Sequence, residues 1–188
     1  MGLIKSKIIG KYALSKHQLP DSSLKPLVKN LDEAKSLAII FAAHNEKEFR
    51  LATEYLKIIK EEYGIMNVRA FGYYPYKDEL PFLKRTVQVD YFTKKDLNWY
   101  YKPEGKYVSD FVKEKFDVLI DLSENDLLPL QFILSMSKAR FKVGRYSEKN
   151  LPYYDMMIDV KNKSLAYYIE QVTIYLTNIN KKVSYESL

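Results

Sequence analysis

The sequence predicts an α/β fold in a single domain, with a doubly wound, mostly parallel sheet of five or six strands and helices on both faces. Three observations predict it. A chain of 188 residues is long enough to bury one such core and short for two. Short apolar runs of strand length alternate with amphipathic segments of helical period, the pattern of βαβ units. The run SLAIIFAA (36–43) is apolar almost throughout, as a strand covered on both faces must be, because neither side meets water.

Taken in order, SLAIIFAA is the first strand. In the segment that follows, HNEKEFRLATEYLKIIKEEYG, Phe49, Ala52, Tyr55, Leu56, Ile59 and Tyr63 recur at three- and four-residue steps and make one apolar helix face. Asn45 is placed to cap this helix, Glu46 and Glu48 stand where its N-terminal dipole favours acids, and Gly64 ends it. NVRAFGYY (67–74) and TVQVDYFT (86–93) read as the second and third strands. PYKDELPFLKR between them is near the minimum length for a parallel crossover, so only a short helical turn is expected there. A brief helix near Tyr107–Lys115 then leads into the fourth strand, FDVLIDLS (116–123). Pro129 has no N–H to donate, and its ring obstructs the carbonyl four residues back, so it fits only a first turn. The helix over 127–139 therefore starts with Asn125 or Asp126 as its cap.

RFKVGRY and YDMMIDV are the last short strands. SEKNLPY between them cannot hold a crossover helix, so the two need not be adjacent and parallel. The final helix, SLAYYIEQVTIYLTNIN, carries the cleanest period, through Leu165, Tyr168, Ile169, Val172, Ile174, Tyr175, Leu176 and Ile179, with Ser164 as a cap. The chain thus divides into a basic, partly ordered arm (1–30), the α/β domain (31–181) and a polar tail (182–188).

Composition removes several functions. The chain has no cysteine and only two histidines, His17 and His44, which rules out disulfides, thiolate nucleophiles and cysteine-ligated metals. No cofactor is predicted. No apolar run approaches the roughly 18 residues that span a bilayer, and Lys5, Lys7, Lys11 and Lys16 interrupt any apolar core of a secretory leader. The expected location is the cytoplasm. The net charge is +6, but residues 1–30 hold six lysines and one acid, Asp21, which is +5 and leaves about +1 for the rest. A duplex-binding domain carries its basic face on the folded body, so DNA duplex binding is not predicted. The arm can contact phosphate on RNA or anionic lipid with salt-sensitive affinity, although a solvated, partly disordered lead-in is the simpler reading of its composition. MGLIKS also matches the N-myristoylation pattern, a match read as chance in view of the bacterial likeness described next.

The segment FDVLIDLSENDLLPLQFILSMSKARFKVGR resembles the middle of the N-terminal Rossmann-like domain of heptosyltransferase-type glycosyltransferases, where an aspartate-bearing strand precedes a helix and an Arg-x-x-Gly-like strand. More broadly, residues 36–180, with FDVLIDLS, ARFKVGR, YYDMMIDV and YYIEQVTIYLTNIN, are similar to a family of small bacterial proteins of unknown function. The first likeness implies a Rossmann-like fold and a sugar or nucleotide substrate. The second implies no activity.

In doubly wound sheets, ligands bind beyond the carboxyl ends of strands where the strand order reverses. That rule selects the loops at His44–Asn45, Tyr74–Lys77 and Ser123–Asp126. Neither G-x-G-x-x-G, G-x-x-x-x-G-K-[ST] nor G-x-S-x-G occurs, so a phosphate-cradling loop and a nucleophile elbow are not expected. His44, Asp121 and Ser123 remain as catalytic candidates, with a strand-end carboxylate suited to general base work. Asn45, Asn125, Asp126 and Arg145 are the ligand-binding candidates, Arg145 for an anion. For the acids and amides, capping and turn hydrogen bonds are the simpler role. Tyrosine is abundant, with 17 copies, and Tyr74, Tyr76, Trp99, Tyr100 and Tyr101 join Lys5, Lys7, Lys11 and Lys16 as partner-binding candidates, since such rings serve interfaces and unpaired bases. These readings rank a non-catalytic binding module for a protein or RNA partner first. A small enzyme acting on a sugar or nucleotide at the ends of the first and fourth strands comes second, and a half-fold serving as a subunit of a larger assembly third.

Overall fold

The structure, a computed structural model, describes residues 2–17, 26–78, 80–162 and 164–181. The proposed tail boundary at 182 lies outside them. Six strands form one sheet: β1 (Ser36–Ala42), β2 (Asn67–Tyr74), β3 (Val89–Thr93), β4 (Val118–Asp121), β5 (Lys142–Arg145) and β6 (Met156–Ile158). The order is β3-β2-β1-β4-β5-β6, and every neighbouring pair is parallel. This is the doubly wound order of the Rossmann arrangement, with the reversal between β1 and β4.

Among the described residues five α-helices accompany the strands: α1 (Gly2–His17), α2 (Glu46–Glu62), α3 (Lys106–Lys113), α4 (Leu128–Met136) and α5 (Leu165–Asn178). Crossovers between parallel strands are right-handed, so connections running in opposite directions along the sheet lie on opposite faces. Accordingly α2 and α5 cover one face, burying Tyr55, Ile59, Tyr168 and Val172 against Leu37, Ile39 and Phe41. On the other face α3, α4 and Leu14 of α1 pack with Ala38, Ile40, Phe71 and Phe92. Odd positions of β1 face one layer and even positions the other, because strand side chains alternate. That is the reason the run had to be apolar throughout.

α1 crosses close to the body at Gly10. A Cβ there would lie 2.8 Å from Leu128 Cδ2 and closer still to the Tyr100 carbonyl oxygen. Lys5, Lys7, Lys11 and Lys16 are exposed on the same helix. The segment after it is pinned at the amino end of β4, where Lys29 Nζ bonds Asp117 Oδ1 at 2.9 Å and the Lys35 N–H donates to Oδ2 at 2.8 Å. Burial pushes the Asp117 carboxyl up, but Lys29 and the backbone amides outweigh it and hold it below the usual range. Asp117 is thus a structural acid, at the opposite end of the strand from Asp121.

Three local expectations are corrected and two are made definite. The short turn expected before β3 is present, closed by the Leu83 N–H on the Leu80 carbonyl at 2.9 Å. β3 itself starts at Val89, because the Thr86 hydroxyl takes the Val89 N–H at 3.1 Å and bends the chain before it can pair. The helix after β4 is capped at Leu127 without a side-chain bond, since the Asp126 carboxylate is committed to Ser147 Oγ at 3.1 Å and to Asn150 Nδ2. β5 and β6 are adjacent and parallel. Both strands are shorter than expected, so residues 146–155, with one 3-10 turn over Glu148–Asn150, suffice to cross between them. On α5 the buried stripe is Tyr168, Val172 and Leu176, whereas Ile174 and Tyr175 are about half exposed at 47% and 52%.

Candidate functional site

The carboxyl ends of β4 and β5 deliver Asp121 and Arg145 side by side with the switch point. The Asp121 side chain is buried and fully engaged. Its Oδ1 accepts the Ser123 N–H at 2.8 Å, and its Oδ2 accepts the Tyr154 hydroxyl at 2.7 Å. Burial raises its proton affinity, the bonds from Ser123 and Tyr154 offset part of this, and Asp126 adds to it. Tyr154 is raised in turn, by burial first and then by the negative charge of Asp121. The close fit depends on Gly144, since a Cβ at that position would lie 2.8 Å from Tyr154 Cδ1 and nearer still to Cε1 and Cζ.

Arg145 lays its guanidinium over the Tyr168 ring, 3.8 Å from the centroid. Burial draws its pKa down, while Tyr168, Glu124 and Asp121 restore part of it. Its Nε and Nη2, the edge that engages an oxyanion side-on, are shielded from solvent and have no partner in the protein. Such orphaned donors are rare in folded chains. Among the described residues five buried side-chain atoms are of this kind, and besides Arg69 Nε all belong here: the two of Arg145, Ser123 Oγ and Tyr168 Oη. Ser123 Oγ lies close enough to Asp121 to favour its ionised form, but makes no hydrogen bond of normal geometry.

Two cavities adjoin these residues. One, of about 310 Å³, is lined by Asp121, Asp126, Gln131, Arg145, Asn150 and Tyr154 among others. Its polar wall is cross-linked, because Gln131 Nε2 donates to Asn150 Oδ1 at 2.7 Å and Asn150 donates to Asp126. The other, of about 350 Å³, is lined by His44, Asn45, Glu48 and Ala166. Glu124, Asn125, Leu127 and Arg145 border both. Among the described residues no group of three or more His, Cys, Asp or Glu could hold a metal ion.

The candidate residues therefore separate. Asp121, Ser123, Asn125, Asp126 and Arg145 come together. His44 does not join Asp121: its Nδ1 lies 3.1 Å from Glu48 Oε2, and its N–H donates to the same oxygen at 2.8 Å. Asn45 caps α2 as expected, accepting the Glu48 N–H at 3.0 Å. Of the aromatic set, Tyr74 is a core residue, 4% exposed at the end of β2, and not a loop contact. Tyr100 packs edge-on against Phe132, and Tyr101 takes a positive φ of 71° in its turn. Trp99 and Tyr76 are exposed, at 65% and 48%. Sequence reading missed Tyr154, Gly144, Gln131 and Asn150. The only signal for the first was its place in the tyrosine-rich LPYYD.

A family model described as "Family of unknown function (DUF6913)" matches residues 5–179. The chain belongs to the DUF6913 family. The DUF6913 span takes in α1 from Lys5 onward as well as every residue of the site, so the lysine-bearing helix lies within the family's domain. No curated protein and no solved structure matches the chain, and the local likeness to heptosyltransferases finds no relative to support it.

An acid held above its ordinary pKa in the fold binds its proton more tightly there than in the unfolded chain, so ionising it costs stability. That cost is absent below the unfolded value, roughly 3.9, and grows as pH rises through the higher folded value. Asp121→Asn removes the charge but turns one acceptor into an amide donor, so the expected result is in the pH dependence: its melting temperature relative to the wild type should be more favourable at pH 8 than at pH 4. A difference that stays the same between pH 4 and pH 8 would contradict this.

Proposed function

We propose that the protein is a binding module for a small, hydroxyl-rich ligand carrying one anionic group, a phosphorylated sugar or a nucleotide, held at the carboxyl ends of β4 and β5. The observation that carries this reading is the side-on edge of Arg145, buried beside a polar cavity without an acceptor. Leaving such donors unpaired costs free energy, which an oxyanion returns as two parallel, charge-assisted hydrogen bonds. Asp126, Gln131 and Asn150 on the same wall suit hydroxyl groups. Entry is by the turn at Glu124 and Asn125, exposed residues that border both cavities.

An enzyme acting on the same ligand class is the second reading, favoured by the raised pKa of the buried Asp121 carboxyl, a feature suited to proton transfer. Binding ranks above it because both Asp121 oxygens are already occupied. The partner reading keeps Tyr76 and Trp99 as exposed rings but not Tyr74 and Tyr100, which pack inward.

The test is thermal denaturation against sugar phosphates, nucleotides, nucleotide-sugars, neutral sugars and inorganic phosphate. A ligand at about a hundredfold over its Kd adds roughly 2.7 kcal/mol, or about 5–10 °C for a chain of this length. Arg145→Gln should weaken that ligand by about 10- to 100-fold, as expected for lost bonds to a charged group. A panel in which nothing phosphorylated shifts the melt, or an Arg145→Gln variant with an unchanged shift, sinks the proposal.

A further inference from the structure

α1 has a side packed on the body and an outward side that mixes lysines with exposed apolar residues. The packed side runs through Gly10 and Leu14. At 3.6 residues per turn, Lys5, Tyr12 and Lys16 fall opposite Leu14, with Ile8 and Ile9 flanking them. Ile8, Ile9 and Tyr12 are 62%, 40% and 63% exposed, and Lys16 Nζ sits 4.9 Å over the Tyr12 ring. The helix, GLIKSKIIGKYALSKH, contains no acid, while Lys5, Lys7, Lys11 and Lys16 are all exposed. The turn it crosses at the Tyr100 carbonyl carries the exposed Trp99.

We propose that this face of α1 docks the protein on an anionic lipid surface, with the helix lying in the plane of the headgroups. The charge selects the partner's sign, and the isoleucines select its class. RNA would satisfy the lysines but leave aliphatic side chains in water, since they neither stack on bases nor bond phosphate. A second copy in a two-fold contact would set the same lysines against each other. Anionic lipid accommodates both, with lysines at the phosphates and Ile8, Ile9 and Tyr12 at the acyl boundary. No described helix is long and apolar enough to cross a membrane, so attachment is to the surface.

The experiment is co-sedimentation of the full chain with vesicles of phosphatidylcholine alone or mixed equally with phosphatidylglycerol, across a salt series. Binding is expected on the mixed vesicles alone and is lost at high salt. Removing Lys5 and Lys16 by substitution with Gln should weaken it roughly fivefold per lysine. Ile8→Ser with Ile9→Ser should weaken it while leaving the thermal melt unchanged, because both residues are exposed. Poly(U) filter binding runs in parallel. Failure to sediment with the mixed vesicles, equal sedimentation with neutral ones, or full retention in the isoleucine variant overturns the proposal. So does tight poly(U) binding that survives the isoleucine changes, which would assign the face to RNA. None of these outcomes depends on the Arg145 cavity.

Discussion

Phe71→Ala is expected to cost the fold about 3–5 kcal/mol, the range for truncating a fully buried phenylalanine. That corresponds to a melting temperature lower by on the order of 10 °C for a chain of this length. Phe71 has no exposed surface. Its ring stacks on Phe92 of β3 at 5.2 Å and on Phe111 of α3 at 4.7 Å between centroids, so one side chain joins β2 to the neighbouring strand and to the helix above. Alanine removes these contacts and leaves a cavity that the sheet backbone is too rigid to close. Urea denaturation checks it: the midpoint should fall with an unchanged slope, which reports lost stability rather than a changed unfolded state. A loss under about 1 kcal/mol would mean that the aromatic cluster relaxes around the gap.

Gly144→Ala is expected to be comparably damaging and to act on the site itself. The new methyl collides with the Tyr154 ring, and a well-packed interior charges about 1–3 kcal/mol for such overpacking. The ring can escape only by turning away, which withdraws its hydroxyl from Asp121 Oδ2 and removes a bond to a charged group worth about 1.5–3 kcal/mol. Because one collision causes both losses, shrinking the ring should relieve much of the first. In a double-mutant cycle Gly144→Ala with Tyr154→Ala should therefore be less destabilising than the two singles added together. Strict additivity would show that the clash is absorbed elsewhere. Ligand-induced stabilisation in Gly144→Ala should also fall, since Tyr154 lines the cavity.

Much of the fold was legible because its signals are local. The apolar run at 36–43, the period from Phe49 to Tyr63 and the Asn45 cap each depend on residues within a few turns of one another, and each took its expected form. The errors have two causes. Asp126 looked like a cap because Asp near a helix start usually is one, but Ser147 and Asn150 from another loop claimed its carboxylate. Ile174 looked like part of the apolar stripe of α5, but two residues at about 3.6 per turn put it on the side opposite Val172. Tyr175 lies at the stripe's edge, so both are about half exposed while Tyr168, Val172 and Leu176 are buried.

The candidate site divides along the same line. Asp121 and Arg145 were visible as polar residues closing apolar strands. The partners that give them meaning were not, because Tyr154 lies 33 residues from Asp121 in the chain, and nothing near either residue announces the other. By itself the sequence determined an α/β chain, its main strands and helices, a lysine-rich amino end and the absence of cysteine chemistry, since composition and short-range period suffice for these. Only the tertiary structure decided that β6 lies parallel beside β5, that His44 is held by Glu48 away from Asp121, and that the Arg145 edge is buried without an acceptor. Strand order brings distant segments together, and no local pattern encodes which side chains then meet.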